Sequence, residues 1–551
     1  VEDDREATGS TRVDLPLLGV LALAGVLRIY WALTHAGVVE NEGAEYCRLA
    51  ENLLAGRGYV GVIKKGVQLN FPPLYPMLIA AFSLVLRNSE LAGRAVSLVA
   101  GMNLGWGVFL VSRRVYGRRV ALIGALIVAL HPVLIALSMA VYSEGPYIAL
   151  AVFGVYWVLR AAEDRRMASG AMAGILLGLA YLTRPEAFVL AGGLLLPVVA
   201  LGLLGREWGR ATAPAVAMLV VLLVVAAPYI YFLWSNTGQL RWEGKGSIAY
   251  AIGERMNRGM SYVEAGYGID ENLREDGIHL KSGVEVLQSG AMRVTGAASL
   301  VAVGRYFLGS ARRNAAGLLH VVADNRAFGS PLLFGLTLIG LFRTPWTRER
   351  IGREAVLLTA YGTSLVILLV GQTRDFRHTV LLLALMVIWA AKGVDELAEW
   401  ATGTLSSVSS RRTGGLGMAL RGLIVVVLCG MAFQFIGSVG DFSQSGAAHI
   451  KEAGRWLKGY APGAKRIMGT ATAVPYYAGG DLQYLPYAES AVALRYIAKK
   501  DPDFVVLESD SVRPYIKGWL KDGIPSRNAK LIYRGGIAGE DEVVIYQWRR
   551  S

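Results

Sequence analysis

Asn41-Glu42-Gly43-Ala44-Glu45-Tyr46-Cys47-Arg48-Leu49-Ala50 follows the first hydrophobic span and places carboxylates at the mouth of a membrane protein. Further on, a carboxylate recurs in Tyr142-Ser143-Glu144-Gly145-Pro146-Tyr147, again at the end of a hydrophobic span. Acids that return to one membrane face from distant parts of a chain point to a site rather than a solvated surface. In a helical turn Glu42 and Glu45 share a face beside Tyr46, while Arg48, Glu51 and Arg57 point to water. An amphipathic interfacial helix with ordinary surface acids gives the same pattern. Glu144 is harder to dismiss, because Ile135 to Phe153 is otherwise apolar and offers no adjacent base. An ionisable group at a membrane boundary is costly without a partner or a task; the alternative is a water-exposed acid in a short loop.

Composition sets the class. The 551 residues are 54% hydrophobic, with a mean hydropathy of +0.42. Soluble domains rarely reach that average, so a polytopic membrane protein is implied. The net charge of +14 fits arginine-rich cytoplasmic loops better than a nucleic-acid partner. Cys47 and Cys429 sit in unlike contexts and imply no disulfide framework. The six histidines lack metal-ligand spacing. Residues 1–14 are polar and acidic and the first apolar span exceeds a signal core, so that span reads as a retained helix.

Apolar runs predict eleven membrane spans, near 14–34, 92–112, 119–138, 146–162, 168–183, 187–204, 212–234, 329–342, 354–371, 378–393 and 417–437. Basic clusters at 113–119, Arg165-Arg166, Arg206/Arg210, 343–353 and Arg411-Arg412 are all cytoplasmic if the chain starts inside. That parity requires residues 72–87, opened by Pro72-Pro73, to lie at the outer interface without crossing. Segments 35–91, 235–328 and 438–551 are then external. The expected fold is a polytopic α-helical membrane domain over 1–437, followed by a small α/β extracytoplasmic domain over 438–551 tethered by the last span. In the latter, an amphipathic helix at 450–460 and helical stretches at 489–499 and 512–521 alternate with short buried strands at 466–468, 504–507 and 543–546.

Parity also places Arg184-Pro185-Glu186 and Gln372-Thr373-Arg374-Asp375-Phe376-Arg377-His378 outside. Arginines there run against the positive-inside bias, and guanidinium suits phosphate oxygens. Arg184, Arg377 and Arg374 are therefore candidate phosphate ligands. Local salt bridging, Arg184 with Glu186 and Arg374 with Asp375, is the alternative. Carboxylates could serve as a general base toward a hydroxyl, and the arginines could stabilise a departing phosphate.

The first external segment resembles that of the GT-C class of integral-membrane glycosyltransferases, in the branch of protein O-mannosyltransferases and the lipid A aminoarabinose transferase. The likeness is carried by Glu42-Gly43-Ala44-Glu45-Tyr46, by Asn52-Leu53-Leu54-Ala55-Gly56-Arg57-Gly58-Tyr59, and by Phe71-Pro72-Pro73-Leu74-Tyr75-Pro76. Ser138 to Tyr147, with Glu144 at the acidic position, and Gly178 to Glu186 extend it. It spans about residues 14–400 and is specific in the first 190. The resemblance implies a polyprenyl-phosphate-linked sugar donor, a membrane-lipid environment, and an outer-face acceptor that is protein, lipid or glycan. It implies inversion, with Glu42 as the base and Glu144 assisting. It implies no organic cofactor and leaves open a divalent cation held by Glu42 and Glu144. The family has Asp where this chain has Glu42, so the register leaves Glu45 as a rival base. The His and Lys that flank Pro-Pro in the two named branches are absent, so neither branch's substrate carries over. The Ala/Gly/Arg-rich composition leans toward a bacterial inner membrane. Two other functions fit the composition: a lipid or sugar transporter or flippase, whose ionisable groups belong nearer the bilayer midplane, and a non-catalytic glycan-assembly subunit.

Overall fold

The computed structural model describes residues 14–35, 37–39, 41–63, 66–204, 208–288, 304–316, 330–370, 376–408, 414–436, 448–463, 465–537 and 541–549. The first half is built from α1 (Leu15–Thr34), α2 (Asn41–Leu54), α3 (Leu74–Leu86), α4 (Ser89–Tyr116), α5 (Arg118–Leu130), α6 (Pro132–Leu137), α7 (Glu144–Asp164), α8 (Met167–Tyr181), α9 (Glu186–Leu204) and α10 (Trp208–Thr237). A partly helical segment follows, with α11 (Lys245–Asn257), α12 (Tyr262–Tyr267), α13 (Gly283–Gln288) and α14 (304–316). Then come α15 (Pro331–Phe342), α16 (Arg348–Val370), α17 (Val380–Val408) and α18 (Gly414–Ile436). Every segment expected to span is helical, although Pro132 breaks the third into α5 and α6. Among the described residues six helices are long and apolar enough to cross a membrane: α1, α4, α7, α16 and the greater parts of α10 and α18.

The bundle has two chemically distinct ends. At one, Arg114 pairs with Asp164 at 3.0 Å, Arg353 with Glu163 at 2.7 Å, Arg119 with Glu399 at 2.7 Å and Arg421 with Asp395 at 2.7 Å. Basic clusters from separate loops thus meet at one end; Arg206, Arg411 and Arg412 lie outside the described residues. At the other end, Leu74 N–H donates to Leu182 O at 2.8 Å where α3 begins. Where α3 gives way to α4, the Ser89 hydroxyl bonds Glu51 at 2.6 Å and Tyr476 at 2.9 Å. α3 therefore leaves and returns to the same end, as parity required, with Tyr75 and Ile79 buried and Leu84 and Val85 exposed.

α17 is the pillar of the bundle. Every residue from Val380 to Ala391 is buried, as expected of a helix that is apolar on all sides. It approaches α15 so closely that a Cβ on Gly393 would sit 1.9 Å from Leu336 O, and one on Gly340 would sit 2.0 Å from Trp389 O.

The C-terminal segment folds around a five-stranded mixed sheet in the order β2-β1-β3-β5-β4. Its strands are β1 (Arg466–Gly469), β2 (Asp481–Tyr484), β3 (Phe504–Glu508), β4 (Ala529–Ile537) and β5 (Asp541–Trp548). β1 runs parallel to β2 and β3, and β5 runs antiparallel to β3 and β4. Helices α19 (Ala448–Tyr460), α20 (Ala473–Ala478), α21 (Ser490–Lys500) and α22 (Gly518–Asp522) accompany the strands. This unit is more than tethered. Leu482 N–H donates to Val62 O at 2.8 Å, and Tyr476 and Leu482 share an apolar core with Tyr46, Tyr75 and Ile79. That docking corrects one expectation: Arg48 is buried, pairing with Glu51 at 3.4 Å and donating to Tyr476 O at 3.2 Å, rather than pointing to water.

Because α17 delivers residues 376–379 to the carboxylate end, its contact with α15 sets their position. Gly393→Ala should destabilise the protein by about 1–3 kcal/mol through overpacking. Thermal unfolding in detergent, compared with a substitution at the open Gly403, measures it.

Candidate active site

Glu42 opens α2 and Glu144 opens α7, so both carboxylates sit in first helical turns, where the helix dipole favours negative charge. Arg377 joins them, its Nη1 lying 3.4 Å from Glu42 Oε2 and its Nε 3.6 Å from Glu144 Oε1. The Arg377 guanidinium also lies over the Tyr142 ring at 4.9 Å. Lys245, at the start of α11, contacts Glu42 Oε1 at 2.8 Å. Arg184 reaches Glu144 Oε1 at 2.7 Å and Glu186 Oε1 at 3.1 Å. Arg184 Nη2 also lies 3.0 Å from His378 Nδ1. Guanidinium only donates, so Nδ1 accepts and Nε2 keeps the ring proton.

The electrostatics of Glu42 follow from these neighbours. Burial works to raise its pKa, but Lys245, Arg377 and Arg184 outweigh it and hold the carboxyl well below the usual range. Glu144 is buried, and neither of its oxygens accepts a hydrogen bond. Its 2.7 Å approach to Arg184 is a charge contact without hydrogen-bond geometry. A buried carboxylate with open lone pairs is an unusual and costly arrangement, suited to receiving a hydroxyl. Glu144, Arg184, Lys245, Arg377 and His378 line a cavity of about 360 Å³ whose walls also include the apolar Val189, Phe307, Val366 and Leu381, and Glu42 adjoins it through Lys245 and Arg377. Glu243 lines it as well, with a pKa raised to about 7 by burial.

The structure brings together Glu42, Glu144, Arg184 and Arg377 from the expected set. It does not bring Glu45. Although three residues from Glu42, Glu45 accepts hydrogen bonds from Val62 N–H at 2.9 Å and Ile63 N–H at 3.1 Å. Its buried carboxylate ties the 57–63 turn to α2, and a Cβ on Gly61 would overlap it. Arg374 lies outside the described residues. Lys245, His378 and Ser143, whose Oγ accepts from Tyr46 OH at 3.1 Å, are members that the sequence reasoning did not assign. Lys245 was legible in principle, being a cation on the outer face like the arginines that were singled out. A divalent cation does not fit these residues well. Three carboxylates, Glu42, Glu144 and Glu186, are matched by three cations, Arg184, Arg377 and Lys245. Among the described residues no three His, Cys, Asp or Glu side chains gather as ligands.

Residues 70–232 match the family model described as dolichyl-phosphate-mannose-protein mannosyltransferase. The structure is similar to AglB, the oligosaccharyltransferase of Archaeoglobus fulgidus, solved with an inhibitory peptide and a dolichol-phosphate. The TM-score is 0.58 at 14% identity, covering 90% of this chain and 69% of that one. An Archaeoglobus fulgidus oligosaccharyltransferase solved with Zn and sulfate gives a TM-score of 0.61 at 15% identity, covering 97% of this chain and 73% of that one. ArnT from Cupriavidus metallidurans in the apo state gives 0.58 at 14% identity, over 96% of this chain and 97% of that one. The chain has the GT-C glycosyltransferase fold. A search of curated protein sequences finds no match to it. Within this fold, the acids and cations described above occupy one end of the helical bundle, on the side of the sheet domain.

Glu45 and Glu42 should separate experimentally. Glu45→Gln turns an NH2 group toward a backbone N–H and should cost about 1–3 kcal/mol of stability. Thermal unfolding should register that loss, while donor binding by the folded fraction stays as in the parent protein.

Proposed function

We propose that this GT-C protein transfers a sugar from a polyprenyl-monophosphate donor to an acceptor hydroxyl on the outer face of a bacterial inner membrane, with inversion. The observation that carries the reading is the chain of ion pairs Lys245, Glu42, Arg377, Glu144 and Arg184, in which Glu42 joins Lys245 and Arg377 and the other four line a cavity with apolar residues on its remaining walls. The apolar wall suits an isoprenoid chain, and the cations suit its phosphate. The archaeal protein of the same fold, solved with a dolichol-phosphate, supports that donor class.

The chemistry is a single displacement. The acceptor oxygen forms a bond to the anomeric carbon while the bond from that carbon to the phosphate oxygen breaks. The acceptor proton passes to Glu42, and the polyprenyl phosphate departs with its added charge held by Lys245 and Arg377. As it stands, Glu42 is a weak base because these cations depress its pKa. A bound phosphate competes for Lys245 and Arg377, and as they turn to it Glu42 becomes more basic. Donor binding thereby arms the base. Glu144, anchored by Arg184, holds Arg377 between the two acids and offers its open lone pairs to the acceptor. Arg184 is tied to Glu144, Glu186 and His378, which makes it the scaffold of the phosphate site more than its mobile ligand.

The same reading places the basic end of the bundle in the cytoplasm and the sheet domain over 438–551 outside, with eleven crossings. Cysteines introduced at the exposed positions Leu531 and Arg348 should label from opposite sides of intact vesicles; labelling of both from one side overturns the topology.

Glu42→Gln should retain donor binding and lose about 10²–10⁴-fold in transfer, measured with radiolabelled polyprenyl-phosphate sugar in reconstituted membranes. Lys245→Met, at the cavity rim, should mainly raise the donor KM. Full activity in Glu42→Gln would remove the base assignment.

A further inference from the structure

The strongest unexplained group lies in the sheet domain. Arg513 is 8% exposed, and its Nε and Nη2 are buried without a hydrogen-bond partner. Among the described residues no carboxylate pairs with it. Pro514 follows and opens a short 3-10 turn (Pro514–Ile516), which fixes Arg513 in extended backbone with φ −68° and ψ 141°. Its guanidinium lies on the Tyr267 ring at 4.1 Å, and Tyr484 meets the same ring edge-on at 5.0 Å. The two segments are clamped here, because Tyr487 N–H donates to Tyr267 O at 2.8 Å. Burial lowers the Arg513 pKa, the signature of a cation taken from water without full compensation.

The position of this group gives it meaning. Tyr262 is half-exposed, and its hydroxyl feels the charges of both Glu42 and Arg513. Tyr262 and Tyr267 both pack near His279, with ring centroids 6.0 and 5.0 Å from it. Tyr262 and Tyr267 thus adjoin a buried guanidinium that meets the Tyr267 hydroxyl and keeps Nε and Nη2 without a hydrogen-bond partner. A fork of N–H donors beside aromatic faces is suited to a carboxylate or phosphate carried on a sugar-like or apolar body.

We propose that Arg513 anchors an acceptor subsite for an anionic group, carboxylate or phosphate, so that the acceptor lies across Tyr262 and Tyr267 and presents its hydroxyl to Glu42. This rests on the glycosyl-transfer reading above and narrows it: the acceptor is an anion. The sheet domain then supplies substrate recognition through one charged contact, and the two donors of Arg513 that have no partner in the free protein, Nε and Nη2, are completed by the substrate.

The test uses the full-length protein in two independent arms. In the first, an alkyl glycoside and its phosphomonoester, and a hydroxylated peptide amide and its free-carboxylate counterpart, are offered as acceptors with radiolabelled donor. Transfer to a charged member should exceed transfer to its neutral counterpart, and the preferred pair tells phosphate from carboxylate. Arg513→Gln should lower transfer to the charged acceptor about 10- to 100-fold, with donor hydrolysis by water unchanged and partial recovery in Arg513→Lys. Equal use of charged and neutral acceptors by the parent protein overturns the proposal. In the second arm, inorganic phosphate and acetate are added to the Lys245→Met protein, whose donor-phosphate site is weakened, and melting is followed. Stabilisation by either anion that disappears on adding Arg513→Gln supports the subsite; identical response in both proteins overturns it. Arg513→Met should also melt higher than the parent without anion, because it removes an unpaired charge, whereas a structural role for Arg513 makes it melt lower. If the parent neither hydrolyses donor nor transfers sugar, the glycosyl-transfer reading fails, and the second arm still judges the anion subsite.

Discussion

Opposite charges held largely out of water at one end of a helical bundle organise this molecule. Lys245, Glu42, Arg377, Glu144, Arg184 and Glu186 form a continuous chain of ion pairs drawn from α11, α2, the turn before α17, α7, the turn after α8, and α9. No member is supported by its own segment alone, apart from the neighbouring Arg184 and Glu186. Removing one leaves another buried and uncompensated, which is the costly case for a buried pair. The helices are therefore held in register by the same contacts that would receive a phosphate. A site built this way has little spare stability to lose, and its cations can change partner without leaving the cluster.

Much of this was legible in the sequence. An acid at the end of an apolar span has few cheap explanations, and Glu144 does stand at a helix start facing Arg184. The placement of α3 followed from arginine parity, and both of its ends do lie at one end of the bundle. The alternatives weighed for Arg184 were anion binding and pairing with Glu186, and the structure makes the pair while placing it on the cavity wall.

The remainder was hidden for physical reasons. Helical spacing puts Glu42 and Glu45 on one face, but the fate of Glu45 is decided by a turn that folds back with its N–H groups toward α2, and no periodicity encodes that. β2 and β4 were missed because they are the edge strands of the sheet. Leu482 is the one buried residue in β2, β4 has none, and an apolar run is the signal by which short strands are found. β1, β3 and β5, buried in the middle, were found. Arg48 and Glu51 looked solvated because the surface that covers them lies more than four hundred residues away.

That separation has a consequence for how the protein is made. Val39 and Glu51 are bonded to Tyr477 and Tyr476, 438 and 425 residues later in the chain. The turn that Glu45 holds is also paired to β2 through Ile63 and Leu482. During synthesis α2 emerges early, and the residues that cover it emerge more than four hundred residues later. Until Tyr476 and Leu482 have been made, α2 displays Tyr46, Cys47 and Ala50 without the residues that seal them, a sticky surface of the kind that chaperones attend. A chain terminated before the sheet would keep its helices and still leave that face of α2 uncovered.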